Sequence, residues 1–235
     1  MREDLRWLGL DWEVEQHQSR RAREHDEFLQ TLCSTGRVYG CDCTHAAVAG
    51  RSATAAADGA AVYDGHCRGK PATDGRVWRL DVTDLPDAAT VGDVVVRGRD
   101  GGISYHAASV ADDLDAGVTQ VVRGHDLAAS TVRQTLVARV LGTEHRLPTF
   151  RHVPLVVGGD GRKLGKRHGD TRLRSLREAG VEADRLRGVL GRWSGIDADW
   201  LTLQQWCERF DLARLPPEPT VYDDPRDRPS LLWRA

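Results

Sequence analysis

The chain lacks several things, and each absence removes a class of protein. No apolar run approaches the roughly 18 residues of a membrane-spanning helix. The opening Met1-Arg-Glu-Asp-Leu-Arg-Trp has no apolar segment of the kind that makes a secretory signal. Cysteine is sparse and odd in number: Cys33, Cys41, Cys43, Cys67 and Cys207 do not form a disulfide framework and point to a reducing cytosol and metal binding. Excess charge of either sign is also missing. Lys+Arg 33 against Asp+Glu 35 leaves a net charge of −2, whereas a protein that coats DNA is strongly basic. Local contact with RNA stays open, because only the contacting face must be positive. Lysine occurs only at 70, 163 and 166, every other basic residue being arginine. That bias reflects genomic composition, and against it two lysines within four residues stand out. An ammonium is a compact charge on a flexible stem that arginine does not replace well at a moving phosphate.

What is present suits a soluble, cytoplasmic globular protein. The 235 residues are 40% hydrophobic, enough for one domain or a core with an appendage. Ser19 to Thr35 reads as a helix burying Phe28, Leu29 and Leu32 and stopping at Gly36. Ala46 to Ala61 is Ala/Gly-rich and reads as a flexible surface loop. Strand patterns follow at Val77–Val82, Asp93–Arg97, Val118–Arg123 and His152–Val157, the last two as buried strands. Ser130-Thr-Val-Arg-Gln134 reads as the capped start of a helix ending near Leu141. Thr171 to Cys207 is helical in period, and Pro216–Ala235 is irregular. Alternating strands and helices indicate an α/β core followed by a small helical appendage.

Two features carry chemistry. Cys41-x-Cys43 precedes the Ala/Gly-rich stretch, and Tyr63-x3-Cys67 follows it. Two close pairs clip the ends of a loop to one ion, and zinc takes thiolates in a tetrahedron of four. His45 and His66 stand near enough to replace Tyr63 as the fourth ligand. The alternative is three reduced cysteines and a tyrosine in a small core, and spacing alone does not decide. The second feature is Gly158 to Gly169, a strongly basic loop with Lys163 and Lys166. In an open α/β sheet such a loop overhangs the crevice at the carboxyl ends of the strands. Arg123 ends a predicted strand and Tyr105 precedes it, so both are candidates to face that crevice. Asp112-Asp113 reads as a helix-end or charge-pairing feature.

In order along the chain stand Asp4-Leu-Arg-Trp-Leu-Gly-Leu-Asp-Trp12, Tyr39-Gly-Cys-Asp-Cys-Thr44, Tyr63-Asp-Gly-His-Cys-Arg68 and Gly92-Asp-Val-Val-Val-Arg97. Tyr105, Val110 to Asp113, Val121-Val-Arg-Gly124, Ser130-Thr131, Arg133-Gln134, His152-Val-Pro-Leu155 and Lys163-Leu-Gly-Lys-Arg-His-Gly169 continue the series. Together they resemble the glutamyl-tRNA synthetase group of class I aminoacyl-tRNA synthetases, and most closely the short glutamyl-Q tRNA(Asp) synthetases. The resemblance implies a Rossmann-type catalytic core over 1–170, with a zinc-binding insertion at about 39–70. A helical, stem-contact-like region and irregular tail would occupy 171–235. It implies one structural zinc on Cys41, Cys43, Tyr63 and Cys67, and a glutamate site at Tyr105 and Arg123. Lys163 and Lys166 would contact ATP, Lys166 as the second lysine of a KMSKS-like loop stabilising charge as pyrophosphate leaves. The implied reaction, with ATP and magnesium, forms glutamyl-adenylate and transfers the glutamyl group to queuosine in the anticodon of tRNA(Asp), in a monomer without a membrane partner.

The sequence departs from the family pattern twice. The family opens with a strand and helix bearing the HIGH signature, and Met1 falls after that segment, so the expected core lacks its first strand–helix unit and the chain reads as N-terminally shortened. Gly165 stands where KMSKS has serine. Two other readings accompany these departures: a catalytically inactive paralogue serving as a zinc-containing RNA-binding module, and a glutamate ligase with a non-tRNA acceptor.

Overall fold

Apolar runs of four or five residues, cut by Gly, Pro and Asp, make short elements the rule in this chain. The structure, a computed structural model, describes residues 1–165 and 172–222. It begins with α1 (Arg2–Trp7), α2 (Ala22–Ser34), β1 (Val38–Cys41), α3 (His45–Arg51) and β2 (Val77–Leu80). Next come α4 (Ala88–Val91), β3 (Val94–Arg97), α5 (Tyr105–Asp115), β4 (Gln120–Gly124) and α6 (Ala128–Val140). The last are β5 (Thr149–Val153), β6 (Val156–Val157), α7 (Leu173–Glu178), α8 (Ala183–Trp193), α9 (Leu203–Arg209) and β7 (Thr220–Val221). One compact unit is Gln16–His152; the other is Met1–Glu15 together with the chain from Val153 onward.

In Gln16–His152, β1, β2 and β3 form an antiparallel sheet with β2 in the middle, Val38 opposite Leu80 and Cys41 opposite Val77. Leu80, Val94 and Val96 join one core with Leu29 and Leu32 of α2, Ala107 and Val110 of α5, and Leu136 and Val137 of α6. The helical spacing that predicts burial of Leu29 and Leu32 is realised, with Phe28 packed at the margin. α2 starts later than Ser19 because Gln18–Arg20 form a separate 3-10 turn. Gln18, Arg21 and His25 all bind the Asp112 carboxylate, His25 Nε2 at 2.9 Å, so Asp112 is a charge-pairing residue, as its sequence context predicts.

Three expectations fail here. The Ala/Gly-rich stretch is no flexible loop: Thr44 caps α3, Ala56 is buried in the main core, and Asp58 pairs with Arg133 at 2.7 Å. Val118–Arg123 is not a buried strand, since among the described residues β4 pairs only with β5, and both Gln120 and Val122 are exposed. Ser130–Gln134 is not a helix start. α6 begins at Ala128, and Ser130, Arg133 and Gln134 are buried inside it.

In the other unit, Leu8 meets Leu176, Val181, Leu186 and Val189. The buried Arg187 of α8 donates to the carbonyls of Leu8 (2.7 Å) and Leu201 (2.8 Å) and pairs with Asp184, so its charge is fully occupied. The helical period from Thr171 to Cys207 appears as α7, α8 and α9, the last opened by a reciprocal Thr202–Gln205 capping box. β6 and β7 pair in parallel. Of the tail expected to be irregular, Thr220–Val221 form β7, and 223–235 lie outside the described residues.

Candidate functional site

β4 delivers Arg123 to the point where the chain turns through His125–Leu127 into α6. Its guanidinium is then fixed from three sides. Nε donates to His152 Nε2 at 3.3 Å, and Nη2 donates to Thr131 Oγ1 at 2.6 Å and Gln134 Oε1 at 2.9 Å. The Phe150 ring lies below, 4.8 Å from Cζ. His152 accepts through Nε2, which requires the neutral ring. Burial and the positive charges of Arg123 and His125 push its pKa down and so favour that form.

Every one of these partners is neutral. Among the described residues no carboxylate pairs with Arg123, and Nη1 has no partner. Most other half-buried or buried arginines of this unit pair with carboxylates; Arg79, which donates to the Asp93 carbonyl and stacks on the Tyr63 ring, is an exception. Arg133 meets Asp58, Arg68 grips Asp93 through two bonds, and Arg21 meets Asp112 and Asp115. Asp113, half-buried on α5, feels the charge of Arg123 without hydrogen-bonding to it. A held guanidinium with no paired carboxylate among the described residues and two free N–H groups is a seat for a carboxylate, which it can take in a bidentate fork.

Tyr105 opens α5 behind the Ser104 cap and is 49% exposed. Its ring meets the edge of His106 at 5.4 Å, and its hydroxyl makes no hydrogen bond among the described residues. His106 is held neutral: burial first, then the nearby charges of Arg133 and Arg123, bring its pKa to about 4. Its Nδ1 is buried without a partner.

The cysteines form a second cluster in this unit. Cys41 leaves β1, Cys43 precedes α3, and the turn after Tyr63 returns Cys67. Their three sulfurs lie within 4.8 Å of one another, Cys43 and Cys67 at 3.6 Å. Tyr63 Oη completes the group, 3.3 Å from Cys41 Sγ and 3.9 Å from Cys43 Sγ. A tetrahedron with zinc–sulfur bonds of about 2.3 Å has edges of about 3.8 Å, so the donor set fits zinc in chemistry and spacing. Neither His45 nor His66 joins it among the described residues. Burial alone would raise the Cys67 thiol, but hydrogen bonds from Tyr63, the Asp42 backbone, Cys43 and Lys70 outweigh it and bring it to about 6. Arg51 donates to Cys43 Sγ at 3.2 Å and to Asp64 at 2.9 Å, while Arg79 stacks on the Tyr63 ring. These cations suit a cluster that gathers negative charge.

Lys163 lies in the other compact unit. It bridges back to Val157 across a tight turn closed by Gly158 and Arg162, and its side chain is exposed. Lys166, the residue predicted to stabilise the leaving pyrophosphate, lies outside the described residues. An open cleft of about 720 Å³ is lined by Arg37, Tyr39, Arg68, Lys70 and Asp84, far poorer in free charge than the Arg123 site. Its cations already pair, Arg37 with Asp84, Arg68 with Asp93 and Lys70 with Asp42.

A model of the family described as tRNA synthetases class I (E and Q), catalytic domain, matches residues 83–221, more than half of the chain and a span that includes Tyr105 and Arg123. The chain belongs to this family. A glutamyl-Q tRNA(Asp) synthetase of Rhodopirellula baltica is 37% identical over 94% of this chain and 80% of its own length. A glutamate–tRNA ligase of Desulfosudis oleivorans is 34% identical over 93% of this chain, which spans only 51% of that relative. Among solved structures, a glutamate tRNA ligase from Elizabethkingia meningosepticum in complex with its amino acid superposes with a TM-score of 0.72 at 20% identity, covering 96% of this chain and 57% of that one. The glutamate–tRNA synthetase of Elizabethkingia anophelis gives 0.74 at 18% identity. The fold is therefore the α/β fold of class I glutamyl-tRNA synthetases.

Within this family fold, sequence reasoning picked out Arg123 and Tyr105 but gave no role to Thr131, Gln134 and His152. Polar residues at a helix beginning look like caps, and nothing local distinguishes a cap from a buried polar face. The usable signal was spacing: Thr131 and Gln134 are three apart on one helix, so they share a face.

Proposed function

We propose that this chain joins glutamate to ATP, forming glutamyl-adenylate, and passes the glutamyl group to queuosine in the anticodon of tRNA(Asp). A carboxylate oxygen of glutamate attacks the α-phosphorus of ATP, the α–β phosphoanhydride bond breaks, and pyrophosphate leaves. A hydroxyl of the queuosine ring then attacks the acyl carbon, forming an ester and releasing AMP. The observation that carries the reading is Arg123, whose hydrogen-bond partners among the described residues are all neutral and leave Nη1 open. It would take a carboxylate of glutamate, with the Tyr105 phenol as a second donor. Lys163 and Lys166 would bind the ATP phosphates, whose magnesium complex carries the leaving charge. The relative named glutamyl-Q tRNA(Asp) synthetase, spanned over 80% of its length, favours the queuosine acceptor.

In the same reading, Cys41, Cys43, Tyr63 and Cys67 would hold one zinc ion in a structural role, tying together the ends of the segment containing α3. The residues around it do the rest: Thr44 caps α3, and Asp58 ties the segment to α6 through Arg133.

Glutamate-dependent ATP–pyrophosphate exchange, measured without tRNA, tests the first step. Exchange with glutamate and none with glutamine is expected. Its absence from a folded, metal-loaded sample overturns the reading. Transfer of labelled glutamate to tRNA(Asp) bearing queuosine, but not to the same tRNA with guanosine there, tests the acceptor.

A further inference from the structure

We propose that Gln134 is the positioning residue of the carboxylate site: its amide oxygen holds the Arg123 guanidinium in place without neutralising it. The inference rests on the glutamate reading of Arg123 and adds what keeps that arginine available.

The argument begins with the direction of the amide. Arg123 Nη2 can only donate, so Gln134 must turn Oε1 toward it, at 2.9 Å. The amide nitrogen then points the opposite way. Gln134 is 1% exposed, and its Nε2 is buried with no hydrogen-bond partner. A buried donor left unpaired is unfavourable. Two substitutions at this position would remove that penalty. A methionine would fill the space without a polar atom. A glutamate would have no donor to leave unpaired and would form an ion pair with Arg123.

The chain uses acidic partners freely elsewhere, including at the preceding residue, where the buried Arg133 meets Asp58. A neutral amide at 134 therefore marks a position where neutralisation works against the site. A carboxylate there would occupy the guanidinium from within the protein and compete with the substrate carboxylate for the same charge. The remaining contacts agree with this. Thr131 is one helical turn before Gln134 on α6, and its hydroxyl accepts from the same Nη2 and lies 3.2 Å from His152 Nε2. The cradle thus fixes Nε and Nη2 with three neutral acceptors and leaves Nη1 open.

The test compares Gln134→Glu and Gln134→Met with the parent, in glutamate-dependent ATP–pyrophosphate exchange and by NMR of the ¹⁵N-labelled arginine side chains, Arg123 being assigned with Arg123→Lys. In Gln134→Glu, KM for glutamate should rise at least about tenfold while KM for ATP stays within about twofold. In Gln134→Met it should rise severalfold, with no loss of thermal stability because the orphan donor is gone. A purely structural glutamine predicts the reverse, a lowered melting temperature and an unchanged glutamate KM, and that pattern overturns the proposal. Should Gln134→Glu fail to fold, Gln134→Met decides by the same two quantities. If the parent shows no exchange, the glutamate reading fails, and the NMR arm still judges the positioning role. Separate Nη signals for Arg123 in the parent, averaged in Gln134→Met, support it; signals already averaged in the parent overturn it.

Discussion

A histidine beside an arginine cluster has its protonation decided by surroundings. His106 is neutral because burial and the charges of Arg133 and Arg123 oppose a second proton, which lowers its pKa to about 4. In the unfolded chain the ring has its ordinary value of about 6.5. Below that value the unfolded state takes up a proton that the folded state refuses. Stability from this residue is therefore complete above about pH 6.5 and is lost as pH falls toward 4. Urea unfolding of the parent and of His106→Gln at pH 7, 5.5 and 4.5 should show a steeper acid loss in the parent. Equal slopes would mean that the ring is not kept neutral by the fold. Arg123 and Tyr105 are candidates in the sequence for a physical reason. Both were visible because they sit at an element's end within recognisable motifs. Gln134 and His152 were not, because their role comes from the meeting of β4, β5 and α6, and no local pattern records a meeting.

Among the elements, the segment between Cys43 and Tyr63 departs most from its sequence appearance. Alanine and glycine in such numbers resemble a linker, yet the stretch carries α3, buries Ala56 and pairs Asp58 with Arg133. The cysteine pairs at its ends were legible because ligand spacing is a local property. α2 was legible because its buried residues repeat with the helical period. Gly92, between α4 and β3, holds the far side of the segment. It has φ of 69°, and a Cβ there would sit 2.5 Å from Tyr63 N and 2.8 Å from Tyr63 O. Gly92→Ala should therefore destabilise the fold by about 1–3 kcal/mol, from overpacking against a backbone that cannot yield. It should also displace Tyr63 and speed release of bound zinc to a colorimetric chelator. Unchanged stability together with unchanged release would separate Gly92 from the cluster.

At the scale of the whole molecule, each of the two compact units has its own apolar core and its own polar anchor. The proposed zinc acts within Gln16–His152 alone. Stripping it with a chelator should raise amide hydrogen exchange across β1, α3 and the turn at 63–67, and leave the amides of α8 unchanged. Increased exchange in α8 would show that the ion supports more than its own unit. The α/β class was readable from the order of strands and helices. The division at 15/16 and 152/153 was not, since it depends on the first residues packing with helices far later in the chain, as Leu8 does with Leu176.

The amide at position 134 also has a genetic meaning. Codons for glutamine and glutamate differ only at their first base, C in one and G in the other. A single transversion there would supply Arg123 with an internal anion and, on the reading above, weaken the site's hold on glutamate.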